Sequence, residues 1–198
     1  MLIAFNKPFG VHSRFTAEVP SHRTLAEFEL PPRVYPLGRL DHDSEGLLLL
    51  SDEKGLNTAL LHPDQGHTRT YWAQVEGDPD AKALQTIRDG PVLQGRKTSP
   101  CEAWLLQPQP AIPDRIPPIR SRKHIPTAWI ALCLSEGKNR QVRRMTAAAG
   151  LPTLRLIRVS IGSFELGTLA PGCWRVLERT ESALLFKAQQ GRGREREF

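Results

Sequence analysis

The chain has 198 residues, a length typical of one compact domain or one domain of two lobes. It is 39% hydrophobic and 24% charged, which is ordinary for a soluble globular protein, and no stretch approaches the roughly 20 apolar residues of a membrane span. The formal net charge is +6, but residues 115–158 hold ten Lys or Arg and a single acidic residue. Concentrated positive charge of this kind indicates either a polyanionic partner or a solvated basic face.

Strand-like segments alternate with short helical ones along the chain. Strands are predicted over residues 2–6, 46–51, 71–76, 127–135, 154–161, 163–166 and 174–178, with a hairpin formed by 92–97 and 101–106. Helical segments are predicted over 24–29 as a single turn, 53–61 before His62-Pro63, 80–89 and 140–149. Such a mixture, joined by tight turns, indicates the α+β class.

Cap residues and breakers refine these predictions. Asp78-Pro79-Asp80 is a good start signal for the third helical segment, and Asn139 is the expected cap of the fourth. Residues 107–126 hold six prolines and several basic residues, which predicts an extended loop with a basic surface. The Gly/Arg/Glu-rich tail, 189–198, is predicted to be disordered.

The cysteines and the N-terminus favour a cytoplasmic location. Cys101, Cys133 and Cys173 lack Cys-x-x-Cys spacing, so we expect small buried thiols and neither a zinc site nor a disulfide framework. Only four apolar residues, 2–5, precede Asn6-Lys7-Pro8, which is too short for a signal peptide.

Residues 38–53 are the most informative stretch of the chain. Gly38-Arg39-Leu40-Asp41 opens a loop that runs through Ser44-Glu45-Gly46 into four consecutive leucines. Four leucines are long enough for a buried strand and too short for a buried helix. A carboxylate beside the end of a buried strand is held on a rigid support, where reacting groups are usually positioned.

Three interpretations of this loop remain at the level of residues. The first is an acidic, solvated loop before a strand. The second is a calcium loop, because five residues follow EF-hand spacing, but position 9 is apolar, position 12 is Asp52 and three prolines precede the loop. The third is a catalytic Asp41 held by a neighbouring arginine.

The third interpretation is supported by a family resemblance. Gly38-Arg39-Leu40-Asp41 with residues 44–50 resembles the signature loop of the RsuA/RluA pseudouridine synthases, in which Thr often stands in place of Ser44. Three further blocks match the family in the same order, at residues 6–11, 69–77 and 136–145. Segments 161–172 and 174–177 then resemble its closing strands. Arg69 stands where the family usually has Lys. The resemblance spans about residues 2–177. Because it begins at residue 2, it points to the branch of the family without an S4-type RNA-binding module, which modifies large-subunit ribosomal RNA.

The resemblance implies a fold and a reaction. The fold would be two lobes, within residues 1–188, sharing a central mostly antiparallel sheet with an active-site cleft. The reaction would be isomerisation of a uridine to pseudouridine within RNA, with no cofactor and no metal. We expect a monomer with RNA as partner and no membrane association.

The resemblance also implies roles for individual residues. Asp41 would be the catalytic carboxylate. Arg39, Tyr71 and Arg143 would bind the substrate. Arg143 would be the charge partner of Asp41, and Tyr71 would stack on the base. Arg39 would either pair with Asp41 or hold the place that the flipped nucleotide leaves in the RNA helix. RNA contacts are expected from the following basic residues: Lys7, Arg120, Arg122, Lys123, Lys138, Arg140 and Arg144. Lys7 is equally open to a structural role in its Lys-Pro-x-Gly turn, Tyr71 to that of a half-buried strand aromatic, and Arg143 to that of a phosphate-binding surface residue.

Two other functions compete with the isomerase. One is a catalytically silent RNA-binding or ribosome-assembly factor, which gains nothing from a carboxylate facing an anion. The other is a metal-dependent nuclease that uses Asp41, Asp43 and Glu45. Transfer RNA and small-subunit ribosomal RNA also remain as alternative substrates.

Overall fold

The computed structural model describes residues 1–61, 67–120 and 122–187. The chain divides into two compact units, one formed by Met1–His67 with Ile157–Gln189 and the other built on Thr68–Leu156. The predicted tail, 189–198, and the His62-Pro63 helix stop lie outside the described residues.

The first unit is built around a strand that the leucine run forms. Its strands are β1 (Leu2–Lys7), β2 (Val11–His12), β3 (Arg23–Thr24), β4 (Tyr35–Pro36), β5 (Glu45–Ser51), the second half of β11 (Thr153–Ile161), β12 (Phe164–Glu165) and β13 (Trp174–Val176). In its main sheet the order is β13-β1-β5-β11, and β2 pairs with β3 separately. All seven residues of β5 are buried, as the unbroken apolar run predicts.

The second unit carries the remaining strands. They are β6 (Arg69–Glu76), β7 (Val92–Leu93), β8 (Arg96–Lys97), β9 (Glu102–Leu105) and β10 (Thr127–Leu134), together with the first half of β11. Their order is β11-β6-β10-β9, and β6 and β10 pair antiparallel over their full length. The β5–β11 pair is parallel, whereas the other pairs in the main sheet with an assigned register are antiparallel, so the α+β class and the mostly antiparallel sheet are confirmed.

The predicted helices form, with small shifts of their ends. They are α1 (Leu56–Leu61), α2 (Ala81–Arg88) and α3 (Gln141–Ala148), preceded by a 3-10 turn at Leu25–Phe28; α4 (Arg179–Leu184) was not predicted. Asp80 caps α2 by accepting a hydrogen bond from the Ala83 N–H at 2.7 Å. None of the helices in the described part of the chain is long and apolar enough to cross a membrane.

The prediction of Asn139 as the cap of α3 is wrong. The N-cap is Arg140, whose backbone is left-handed with φ 50°, and its side chain makes no cap hydrogen bond. The Asn139 side chain instead accepts from Arg144 at 3.2 Å, while the Gln141 side chain accepts the Lys138 N–H at 2.9 Å. Because the Asn139 side-chain oxygen binds Arg144, it does not cap the helix, which starts one residue later than predicted.

The predicted hairpin between 92–97 and 101–106 is also wrong. Residues 92–97 are a hairpin in themselves, because Gln94 and Gly95 both have positive φ and close a two-residue turn between β7 and β8. β9 pairs with β10 instead, with Ala103 opposite Leu132. The thiols depart from expectation too, since Cys173 is exposed and the other two are only half-buried.

Each unit has its own hydrophobic core. Leu47 and Leu49 lie in the first, with Ile161 and Phe164. The second core is formed by β6, β10 and the apolar faces of α2 and α3, and includes Ile87 and Met145. The strands that carry the candidate site residues are therefore held by packing on buried side chains.

Gly46 leaves no room for a side chain, because β11 approaches it closely. Its φ is +100°, and a Cβ there would lie 2.3 Å from the Arg158 carbonyl oxygen and 2.8 Å from the Arg158 nitrogen. We expect Gly46→Ala to lower the free energy of unfolding by about 3 kcal/mol, through strain and displacement of β11. Urea denaturation checks this.

Gly55→Ala is the matched control for that substitution. Gly55 has nearly the same φ, +96°, but open space around the position of a Cβ. Its loss should be about 1 kcal/mol, the cost of the backbone conformation alone. Equal losses at the two positions would show that the approach of β11 is not what requires glycine.

Candidate active site

The backbone on both sides of Asp41 is tied to the turn after β1. The Gly10 N–H donates to the His42 carbonyl at 2.7 Å. Ser13 binds Leu40 twice, because its hydroxyl donates to the Leu40 carbonyl at 2.8 Å and accepts the Leu40 N–H at 3.1 Å. The Ser44 N–H donates to the Asp41 carbonyl at 3.0 Å. The half-buried Asp41 side chain therefore projects from a loop whose course is fixed.

Two basic residues flank the point where this loop enters β5. In the sheet, Gly46 lies opposite Lys7 of β1 on one side and opposite Arg158 of β11 on the other. The Lys7 side chain is 0% exposed and the Arg158 side chain 4%. Both positive groups are buried beneath a loop that contains Asp41, Asp43 and Glu45, and charges of opposite sign attract strongly where water is excluded.

The ammonium of Lys7 holds the loop by hydrogen bonds. Its Nζ donates to the carbonyls of Pro8 at 2.9 Å, Val11 at 2.8 Å and His42 at 3.5 Å. Burial lowers the pKa of Lys7 to about 7, an effect that the nearby Glu45, Asp43 and Asp41 carboxylates only partly oppose. Complete burial favours the structural role that the Lys-Pro-x-Gly turn left open over a contact with RNA.

Arg158 is a site residue that sequence reasoning missed. Its Nε donates to the Leu47 carbonyl at 2.7 Å, which ties β11 to the start of β5. Among the described residues, its Nη2 and the nearby Ser44 hydroxyl are buried without a hydrogen-bond partner. The sequence carries a signal of burial at this position. Arg158 lies in the apolar segment Leu156-Ile157-Arg158-Val159, which is an unusual setting for a surface arginine.

The remaining predicted substrate residues occupy different positions. Arg39 is exposed on the loop of the first unit. Tyr71 lies in β6 of the second unit, half-buried and packed against the core of that unit. Arg143 lies in the first turn of α3, half-buried, and its Nη1 donates to the Thr153 carbonyl at 3.1 Å. Arg143 is therefore anchored to the start of β11.

The predicted RNA-contact residues of the second unit form two groups. Arg120, Arg122 and Lys123 are exposed in the proline-rich loop, and Arg122 pairs with Glu76 at 3.1 Å. Lys138 and Arg140 are exposed before α3, and Lys138 pairs with Glu136 at 2.9 Å. Arg144 is half-buried and donates to the Gln94 side chain at 2.9 Å. Most of these cations are thus open to solvent.

Within the described ranges, His, Cys, Asp and Glu form no group of three that could hold a metal ion. Asp41, Asp43 and Glu45 lie near the buried Lys7, whose pKa their charges raise in opposition to burial.

Comparison with known proteins identifies the family to which this loop belongs. The model of the family described as RNA pseudouridylate synthase matches residues 1–148. The chain belongs to this family. The matched residues include the loop that carries Asp41 and the strand that follows it.

Individual relatives and a solved structure agree with this assignment. The chain is 54% identical over 177 residues to ribosomal large subunit pseudouridine synthase E of Xanthomonas campestris, covering 89% of this chain and 95% of that protein. It is 44% identical to the protein of the same name from Vibrio parahaemolyticus, over 89% of this chain and 74% of that one. A crystal structure of a pseudouridylate synthase superposes with a TM-score of 0.76 at 25% identity, covering 93% of this chain and 73% of that chain.

Proposed function

We propose that this protein converts one uridine of large-subunit ribosomal RNA into pseudouridine, with Asp41 as the reacting carboxylate. The observation that carries the proposal is the Asp41 loop, held by Ser13, Gly10 and the buried Lys7 at the entrance to β5. Family membership supports the reaction, and the names of the relatives from Xanthomonas and Vibrio support the choice of RNA.

The proposed reaction moves a base without consuming a second reactant. The bond between N1 of uracil and C1′ of ribose breaks, the base rotates, and a bond forms between C5 and C1′. The C5 proton is lost and N1 gains one, so there is no net proton transfer. Asp41 can serve by attacking C1′, by adding to C6 of uracil, or by deprotonating the ribose to give a glycal; each route uses an ionised carboxylate at a defined position.

Other residues are assigned supporting roles in the same proposal. Tyr71 provides a ring for stacking on the target base, since a uridine extruded from folded RNA loses its stacking neighbours. Arg143 provides a positive charge for the reacting carboxylate, and Arg39 contacts the substrate beside Asp41. We propose that residues 1–188 form the catalytic domain, acting as a monomer in the cytoplasm and without a cofactor or metal.

The proposal is tested by mapping pseudouridine in cells that lack the protein. Carbodiimide labelling and primer extension would be applied to ribosomal and transfer RNA, with complementation by wild type or Asp41→Asn. We expect one site in large-subunit RNA to disappear and to return only with wild type. Persistence of every site, or its restoration by Asp41→Asn, would contradict the proposal and favour a non-catalytic RNA-binding protein.

The same cells and the purified protein separate the remaining alternatives. A missing site in small-subunit or transfer RNA would keep the reaction and change the substrate. For a metal-dependent nuclease, EDTA should stop the activity and RNA chains should be cut. The isomerase should be indifferent to EDTA while the RNA stays folded, and should leave chain length unchanged.

The basic turn before α3 and the first residues of that helix are expected to contact RNA phosphates. Arg140→Ala and Arg144→Ala should each weaken binding and reduce the slope of log K against log salt by about 0.7–0.9, the share of one phosphate. Binding to ribosomal RNA at four salt concentrations measures the slope. Arg175→Ala is the matched control, because Arg175 lies in the first unit and is bound bidentately to Glu181. A slope unchanged from wild type would remove the substituted arginine from the interface.

A further inference from the structure

Three histidines of the first unit are stacked beside the Asp41 loop. The rings of His12 and His22 lie 4.2 Å apart between centroids, at an interplanar angle of 29°. The rings of His12 and His42 lie 5.2 Å apart at 13°. His12 is the central ring because it stacks on both of the others. We call this set, His12, His22 and His42, the histidine column.

Three chain segments that are tied to one another build the column. His12 belongs to β2, which pairs with β3, and β3 begins directly after His22. The segment around His42 is bound to the same turn through Gly10 and the buried Lys7. The rings are therefore positioned by backbone hydrogen bonds, and the column is preorganised before any ligand arrives.

The column presents an aromatic surface more than a cationic one. Burial lowers the pKa of His12, and the neighbouring His22, Arg14 and His42 lower it further. Arg14 also lies 3.1 Å from Nδ1 of His22 and pairs with Glu18. Since a guanidinium can only donate, Nδ1 of His22 is the acceptor in this contact. Stacked rings whose central member has a lowered pKa are poorly suited to a phosphate and well suited to the face of a base.

His42 is the accessible end of the column. Its side chain is exposed, and His12 is its only ring neighbour among the described residues, which also make no hydrogen bond or ion pair with its imidazole. Consecutive Cα atoms lie about 3.8 Å apart, so this ring begins one residue from Asp41. A nucleotide next to one that reacts at Asp41 would lie within reach of the His42 ring.

From this arrangement we propose that His42 is a stacking site for the RNA base adjacent to the reacting uridine. The inference rests on the proposed function, since it takes the reacting uridine to be at Asp41. When that uridine leaves the stack, its neighbour loses a stacking partner. The His42 ring, backed by His12, takes that place and offsets part of the cost of extrusion.

Substitutions of His42 distinguish an RNA contact made by an aromatic ring from one made by a positive charge. Binding of full-length large-subunit ribosomal RNA would be measured for wild type, His42→Ala, His42→Phe and His42→Lys. We expect about tenfold weaker binding for Ala, binding within about twofold of wild type for Phe, and a loss like that of Ala for Lys. Thermal unfolding of each variant checks the fold, which an exposed side chain should hardly affect.

Two results would overturn the stacking site. If Lys restores binding while Phe does not, and the salt slope differs between Lys and Ala by about one phosphate, His42 contacts backbone and not a base. Unchanged binding by His42→Ala would exclude a contact altogether.

A second arm tests the base itself. Fragments carrying the mapped uridine would have an abasic site at its 5′ or its 3′ neighbour. The fragment that lacks the stacked base should bind the wild type more weakly than the intact fragment does. For His42→Ala the two fragments should bind equally, because the variant has no ring on which that base could stack. This non-additivity is the signature of two groups in contact. Additive losses for both fragments would contradict the inference.

The two proposals fail separately. If no pseudouridine disappears in the deletion strain but Phe still restores binding that Ala loses, the proposed function fails and the stacking surface stands. If the site disappears and His42→Ala binds and reacts as wild type, the stacking site alone fails.

Discussion

Asp41→Asn is expected to abolish pseudouridine formation while leaving the fold and RNA binding intact. The substitution keeps the shape of the side chain and removes its charge and nucleophilicity. A loss on the order of 10⁴-fold or more in the single-turnover rate is the usual size when the reacting group itself is removed. Affinity for ribosomal RNA should be unchanged or slightly higher, since a carboxylate no longer faces a polyanion. Carbodiimide labelling of purified RNA over time measures the rate, and filter binding measures the affinity.

Asp43→Asn is the matched control within the same loop. Asp43 is also half-buried and lies two residues further on, so the change in net charge and local composition is the same. We expect its rate to remain within about tenfold of wild type, as for a group that does not react. Equal losses at both positions would show that the loop needs its total negative charge, and that Asp41 is not specifically the reacting group.

Lys7→Met is expected to lower the free energy of unfolding by about 3 kcal/mol at pH 7. Methionine fills a similar volume but leaves the carbonyls of Pro8 and Val11 without the donor that binds them at 2.9 and 2.8 Å. An unsatisfied buried carbonyl costs about 1–3 kcal/mol. Because the same ammonium binds the His42 carbonyl, the rate of pseudouridine formation should fall as well. Urea denaturation gives the stability.

The difference between wild type and Lys7→Met should grow as pH rises. The pKa of Lys7 falls from 10.5 to about 7 on folding, so between these values the unfolded chain binds a proton that the folded chain does not. Unfolding free energy therefore rises with pH for wild type relative to the variant, by about 1.4 kcal/mol per unit. Below pH 7 both states are protonated and the difference is flat.

Lys54→Met is the control for that pH series. Lys54 is exposed in the same unit, and its variant should run parallel to wild type from pH 6 to pH 10. A Lys7→Met curve that also ran parallel would mean that the ammonium stays protonated when folded, and that hydrogen bonds alone account for its stabilising effect.

Local signals were enough to predict much of the chain. The run Leu47-Leu48-Leu49-Leu50 could only be a buried strand, and all four side chains are buried. The start of α2 at Asp78-Pro79-Asp80 was identifiable because capping depends on residues within one turn, and the structure assigns the cap to Asp80. The α+β class followed from the order of strands and short helices, and the ordered motifs around Asp41 indicated the family.

Long-range pairing decided what local signals could not. The partner of β9 was predicted wrongly because nothing in residues 102–105 specifies pairing with β10. Asn139 was predicted as the cap of α3 because a cap pattern does not show that its side chain accepts a hydrogen bond from Arg144. Arg158 binds Leu47 across 111 residues of sequence, so its apolar neighbours could indicate burial but not its position at the start of β5.

The sequence by itself predicted the buried strand, the loop before it and the candidate carboxylate Asp41, because these predictions depend on residue type and short spacing. Only the tertiary structure decided that Lys7 is buried with a pKa near 7, that Gly46 lies between Lys7 and Arg158, and that three distant histidines stack in one column. Burial, desolvation and ring stacking are properties of what surrounds a side chain, and those surroundings exist only after strands far apart in the sequence have paired.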